Sequence, residues 1–231
     1  MKTIRFQGGL GNQMFQYAYG RYLELVNHEE VCFDTRTWYL NQKEHNRDFL
    51  LHQFHTCIRT ATDLQYQQDE DGYYQWPKMY REILPELERE LSLKYEYITF
   101  KYLNFLGAMA HCDNAIGVHV RRKDYGSPLP AGYYLDALSK VKGDILIFSD
   151  DTEWCRNVFC DINATFVDLQ DYECFELLRV CDTKIIGNST FSFWAAWLGG
   201  GKVICPDRWL GNGTIKAEDM PEDWIRIKDY R

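Results

Sequence analysis

From residue 115 onward the chain alternates short apolar runs with helix-length amphipathic stretches. Runs at Ala115 to Val120, Ile145 to Phe148, Thr165 to Val167, Lys184 to Ile186 and Lys202 to Ile204 read as strands, and a helical pattern separates most of them. That rhythm predicts a parallel, doubly wound sheet. The start of the chain follows the same plan. A strand at Thr3 to Phe6 leads into a glycine turn at Gly8 to Gly11, then a helix with Met14, Ala18, Tyr22 and Leu25 on one face, then a strand at Val31 to Phe33 that ends on Asp34. Between Trp38 and Gln75 the pattern becomes polar and irregular. A helix carrying Ile83, Leu84, Leu87 and Leu91 is expected from about Pro77. Small polar residues at Cys112 to Asn114 mark a boundary, giving an N-terminal lobe over 1–111 and a C-terminal lobe over 112–231. The expectation is an α/β protein of two Rossmann-like lobes facing a cleft.

Composition narrows the partners. With 45% apolar and 26% charged residues in 231, the chain can build substantial cores. A formal net charge of −8 opposes broad contact with nucleic acid or an anionic bilayer, while leaving room for a local basic pocket. The opening residues run within a few positions into the glycine turn, without the apolar stretch of a signal peptide, so the expected location is the cytoplasm. The apolar segment from Phe100 to Ala110 is too short to span a membrane, which leaves only loose surface attachment. Eight cysteines without a Cys-x-x-Cys pair, several of them inside apolar runs, read as reduced and buried thiols.

The turn Gly9-Leu10-Gly11-Asn12-Gln13-Met14 follows a strand and opens a helix, as a dinucleotide-binding turn does, and Asp34 closes the next strand. Met14 occupies the place of the third glycine, which opposes that reading because the glycine exists to let helix and strand approach closely. Two others remain: a tight turn that needs glycine dihedrals, and helix N-terminal amides with Asn12 facing an anionic ligand.

His119-Val120-Arg121-Arg122-Lys123-Asp124 places three positive charges at a strand's carboxyl end, where doubly wound sheets bind ligands. Two arginines can neutralise a diphosphate through paired hydrogen bonds without a metal; alternatively, Asp124 pairs with one of them in a solvated turn. Asp150 and Asp151 end the next strand, suited to ribose or base hydrogen bonds, to a metal, or to capping the following helix. Asn188, Ser189, Thr190 and Ser192 form a third rim whose hydroxyls and amides can cradle phosphate oxygens or cap a helix. Phe193, Trp194 and Trp197 beyond them read as core.

In this order the segments resemble the α-1,2-fucosyltransferase family. The matching stretches are 8–18, 33–35, 72–75, 119–125, 148–151 and 188–198, spread over nearly the whole chain. The resemblance implies a two-lobed GT-B fold with a donor lobe at the C-terminus and an acceptor lobe at the N-terminus. It also implies GDP-fucose as donor, a galactose-containing oligosaccharide or lipid-linked glycan as acceptor, and inversion at the anomeric carbon with no metal or other cofactor. By position, Arg121 and Arg122 would hold the pyrophosphate, Asp151 the guanosine, Ser189 and Ser192 the phosphate end, and Asn12 would face the donor. Lys123 stands where the family commonly has glycine, which can stiffen the turn or add a phosphate contact. His119, Asp124 and Asp34 are the candidate bases.

Overall fold

A computed structural model describes residues 1–35, 48–61, 72–123, 126–209, 215 and 219–230. It divides into two compact units, one built on Met1–Lys94 and the other on Tyr95–Asn212 with Lys216–Arg231. The division thus falls before the helix Phe100–Met109, whereas the sequence pattern suggested it after that helix. The helix joins the second unit because Thr99 caps it, accepting from the Tyr102 amide at 3.2 Å, and Thr99 is itself bound to the buried Glu173 carboxylate at 2.6 and 2.8 Å.

In the first unit β1 (Lys2–Arg5) and β2 (Val31–Asp34) pair in parallel, and α1 (Leu10–Leu25) crosses between them. Met14, Phe15, Tyr17 and Ala18 are fully buried, while Leu25 is exposed, so the apolar face ends earlier than its spacing suggested. The close helix-strand approach that Met14 cannot supply occurs almost two turns later: a Cβ on Gly20 would lie 2.4 Å from the Phe33 ring. Phe33 stacks in turn on Phe6, with ring centroids 5.0 Å apart. The helix expected from Pro77 is two elements, a 3-10 helix over Pro77–Ile83 and α2 over Leu84–Glu90. Pro85 lacks the amide that would continue the hydrogen-bond ladder, so a fresh helix begins around it.

The second unit holds one parallel sheet in the order β5-β4-β3-β6-β7-β8. Its strands are β3 (Ala115–Val120), β4 (Asp144–Ser149), β5 (Ala164–Phe166), β6 (Thr183–Ile185), β7 (Lys202–Pro206) and β8 (Ile225–Ile227). The first five match the apolar runs within about two residues at each end. The sixth was missed, because three residues with Arg226 at their centre form no apolar run.

Five helices accompany the sheet: α3 (Phe100–Met109), α4 (Ala131–Ser139), α5 (Thr152–Val158), α6 (Asp171–Arg179) and α7 (Thr190–Gly199). Ile116, Val118 and Val120 face α4 and α5, packing with Tyr133, Tyr134 and Cys155. The alternate residues of β3 face the other way. A Cβ on Gly117 would meet Leu178 at 2.6 Å, and His119 stacks on Phe191 at the start of α7. Both faces of β3 are therefore covered, as a parallel strand requires. Phe193 and Trp194 are fully buried, as core. Among the cysteines, Cys32, Cys155, Cys181 and Cys205 are buried, but Cys57 and Cys160 lie at the surface. Among the described residues no helix is long and apolar enough to cross a membrane.

Candidate active site

All six strands of the second sheet run the same way, so their carboxyl ends share one edge. From β3 the chain builds outward through β4 and β5, then returns to the other side of β3 with β6. The gap between the ends of β3 and β6 is the switch point where doubly wound sheets bind ligands. The basic segment leaves β3 on one side of it, and Gly187 to Ser192 leave β6 on the other.

Parallel pairing sets Val120 opposite Ser149 and so brings the two arginines beside the two aspartates. Asp150 holds the turn. Its carboxylate accepts from the Arg122 amide at 2.9 Å and the Lys123 amide at 3.2 Å, and pairs with the Arg121 guanidinium at 3.0 Å. Asp151 caps α5, accepting from the Trp154 amide at 3.2 Å, while its second oxygen lies 3.6 Å from Arg122 Nε. The Arg122 guanidinium sits over the Trp154 ring, 3.9 Å from its centroid. Ser149 accepts from the Asp151 amide at 2.9 Å, fixing the two carboxylates in opposite roles. Capping, one of the readings open for this acidic pair, is thus present, and pairing with arginine accompanies it. The backbone at Lys123 needs no left-handed conformation; positive φ among the described non-glycine residues occurs at His28, Tyr74 and Tyr230.

Across the switch point, Ser189 occupies the N-cap position of α7 but its side chain makes no capping hydrogen bond. Thr190 and Phe191 follow half-buried. Asn188 and Ser192 are buried, and the Ser192 hydroxyl donates to the Ser189 carbonyl at 3.3 Å, so it shapes the turn from beneath. Gly187 fits a close approach, since a Cβ there would lie 3.2 Å from the Tyr134 hydroxyl, which would have to give by a few tenths of an ångström. Tyr134 is buried and also hydrogen-bonded to the Arg121 backbone, so one phenol spaces both rims. Nothing local in the sequence marked Tyr134 or Trp154 for this; their partners are dozens of residues away or a helical turn behind.

His119 is buried, and its Nδ1 has no hydrogen-bond partner among the described residues. Burial, with the nearby Arg121 charge, pulls its pKa down to about 3. The imidazole is therefore neutral across the physiological range and a weak proton acceptor. Asp124 lies outside the described residues. Asp34, the third candidate, is buried at the end of β2 in the first unit, with Arg5 Nε 4.0 Å away.

The glycine turn of the first unit is occupied with its own structure. The Gly9 carbonyl accepts from the Asn12 and Gln13 amides at 2.9 and 3.1 Å, and Gly11 is buried in the first helical turn. Gly8 has φ +77°, and a Cβ there would strike the Asn12 amide at 2.6 Å. Asn12 Oδ1 accepts from Gln75 at 3.0 Å. Gln13 donates to the Gly8 and Asp48 carbonyls and accepts from the Leu50 amide; Gln16 donates to the Gly72 carbonyl and accepts from the Gln7 amide. The segments 8–18 and 72–75 therefore belong to one local structure.

Residues 71–206 match the family model described as glycosyl transferase family 11. An alpha-1,2-colitosyltransferase of Escherichia coli is 26% identical, with 98% of each chain covered. The O-antigen biosynthesis glycosyltransferase WbnK of Escherichia coli is also 26% identical, over 95% of this chain and 98% of its own. The galactoside 2-alpha-L-fucosyltransferase SEC1 of Bos taurus is 28% identical over 64% of this chain and 48% of its own. Among solved structures, a glycosyl transferase family 9 protein of Veillonella parvula superposes with a TM-score of 0.53 at 10% identity, covering 98% of this chain and 86% of that one. A mutant of Arabidopsis thaliana FUT1 in complex with GDP gives 0.52 at 11%, covering 91% and 70%. At such identities these two likenesses concern the fold, which is of the GT-B type.

Proposed function

The chain belongs to glycosyl transferase family 11, and we propose that it moves fucose from GDP-fucose, with inversion, to the 2-hydroxyl of a galactose residue on a glycan acceptor. The observation that carries this reading is that Arg121 and Arg122 follow β3 and the uncapped Ser189 turn follows β6, its parallel neighbour, at the switch point of the sheet. In the proposal the acceptor oxygen attacks the anomeric carbon as the bond to the β-phosphate oxygen breaks. GDP departs with the electron pair, and the hydroxyl proton passes to a base. Negative charge grows on the pyrophosphate during that step, and guanidinium groups fixed beforehand stabilise it without reorganising. Two arginines on adjacent residues supply the countercharge a divalent metal would otherwise bring, so the transfer is proposed to need none. Asp150 and Asp151 then serve to hold those arginines, and Asp151 retains an edge for the guanosine. The donor is assigned to the second unit and the acceptor to the first.

A second reading is favoured by the relative named for colitose, which aligns over 98% of both chains: the donor sugar is colitose, which lacks the 3-hydroxyl of fucose. A site that hydrogen-bonds that hydroxyl rejects the deoxy analogue by several orders of magnitude, whereas a site that does not bond it accepts both. A screen of GDP-fucose, GDP-colitose, GDP-mannose and UDP-galactose against galactose-terminated acceptors, with product linkage read by NMR, decides. Transfer from GDP-fucose with a new 1,2 linkage is expected. Turnover of the UDP sugar alone would overturn the donor class.

A further inference from the structure

Trp154 lies at the third position of α5, beside the arginine turn but outside the residues assigned above to the donor. Three contacts join it to Arg122. Its amide donates to Asp151 Oδ1 at 3.2 Å, Asp151 Oδ2 lies 3.6 Å from Arg122 Nε, and the Arg122 guanidinium rests 3.9 Å above the indole centroid. The ring is itself held edge-on between Tyr134 and Phe159, at 6.2 and 6.3 Å, both of them buried. Arg122 Nε is buried and makes no hydrogen bond among the described residues, and 3.6 Å is too long for one to Asp151. Hydrogen bonding thus leaves the plane of the guanidinium undetermined there, and the ring face supplies what is missing. An arginine that meets a diphosphate through two parallel hydrogen bonds must present its plane at a set angle, and its long side chain would otherwise lose entropy to do so.

We propose that Trp154 is a positioning residue: its indole face sets the plane and place of the Arg122 guanidinium for the donor pyrophosphate. This rests on the donor site proposed above. Asp151 orders the same arrangement from both ends, as cap of the helix that carries the ring and as counter-charge of the cation on it. A tryptophan that merely filled the aromatic cluster would affect stability and would act equally with or without Arg122.

The test is a cycle of Trp154→Leu, Trp154→Met and Trp154→Phe, each alone and with Arg122→Ala, read by steady-state transfer from GDP-fucose. Removing the ring should lower kcat/KM roughly tenfold, the scale of a partly desolvated cation–π contact, and Trp154→Phe should retain most of the rate. In the Arg122→Ala background the same changes should cost nothing further. Equal losses in both backgrounds, or no loss in an otherwise Arg122-dependent enzyme, would overturn the positioning role while leaving the donor site standing. Full activity of Arg122→Ala would instead remove the donor site and the positioning role with it. A measurement on the unaltered protein covers variants that do not fold: the Arg122 Nε proton should resonate upfield in NMR from the ring current of the indole, and an unshifted resonance would overturn the proposal.

Discussion

At the start of α1 the side-chain amides of Gln13 and Gln16 are fully buried and engaged with backbone groups near 8, 48–50 and 72. At the end of β3 the side chains of Arg121 and Arg122 are each 22% exposed, and they pair with the carboxylates of Asp150 and Asp151. Both stretches look alike on paper, a strand followed by small or polar residues and a helix or turn. The difference lies in capacity. A neutral amide has two donors and one carbonyl, which backbone groups in a core can saturate. A guanidinium has five donors in a fork that one carboxylate leaves unfilled, and its charge persists when paired. The first motif holds its own unit together; the second carries the charge that the proposed function directs at an anion.

That contrast breaks most visibly at Arg122. Replacing it with alanine should lower transfer at least about a hundredfold in a folded protein, because a charge-assisted contact that strengthens in the transition state is worth roughly 3 kcal/mol. Arg122→Lys should restore little, since an ammonium cannot make the planar two-point contact. Kinetics with circular dichroism as the folding control decide. Near-normal turnover would make the arginine turn as structural as the glutamine motif.

The converse substitution belongs in the first unit. Gln13→Ala leaves the Leu50 amide and the Asp48 carbonyl without their partner, and should destabilise the protein by about 2–3 kcal/mol in urea melts. The rate per folded molecule at saturating donor should stay within a fewfold of normal. A stable but inactive variant would move Gln13 into the chemistry.

A smaller effect tests the buried edge of the arginine turn. The folded pKa of His119, about 3, lies below the ordinary histidine value of 6.5. The unfolded chain therefore binds the proton first, and stability present above pH 6.5 is lost as the pH falls toward 3. Between pH 7 and pH 5 this one group should cost about 1–2 kcal/mol, and His119→Phe should flatten that part of the stability curve. An unchanged acid limb in the variant would show that the imidazole is not held neutral. The smallest expected change is none at all: excess EDTA should leave the transfer rate unaltered, and a loss restored by manganese would mean that Asp150 and Asp151 hold a metal instead of arginine.

Much of the second unit is legible from residue order because a strand covered on both faces must be a short apolar run, and five such runs separated by helical patterns admit few other arrangements. The same reasoning placed both arginines, both aspartates and the serine turn at strand ends, hence on one edge. It failed where the deciding partner is remote. Lys184 sits in β6 fully buried, its ammonium donating to the Cys181 and Gly200 carbonyls at 2.6 and 2.7 Å, so two segment ends gather on one cation that local pattern would place at the surface. Gly20 reads as an ordinary helical glycine until the Phe33 ring is set against it. Periodicity records whether a side chain faces the core or the water, and thereby secondary structure and sheet order. Which group each polar atom meets depends on segments brought together from distant parts of the chain. For that reason the pairing of Arg122 with Trp154, the uncapped Ser189 and the neutral His119 emerged only with the fold.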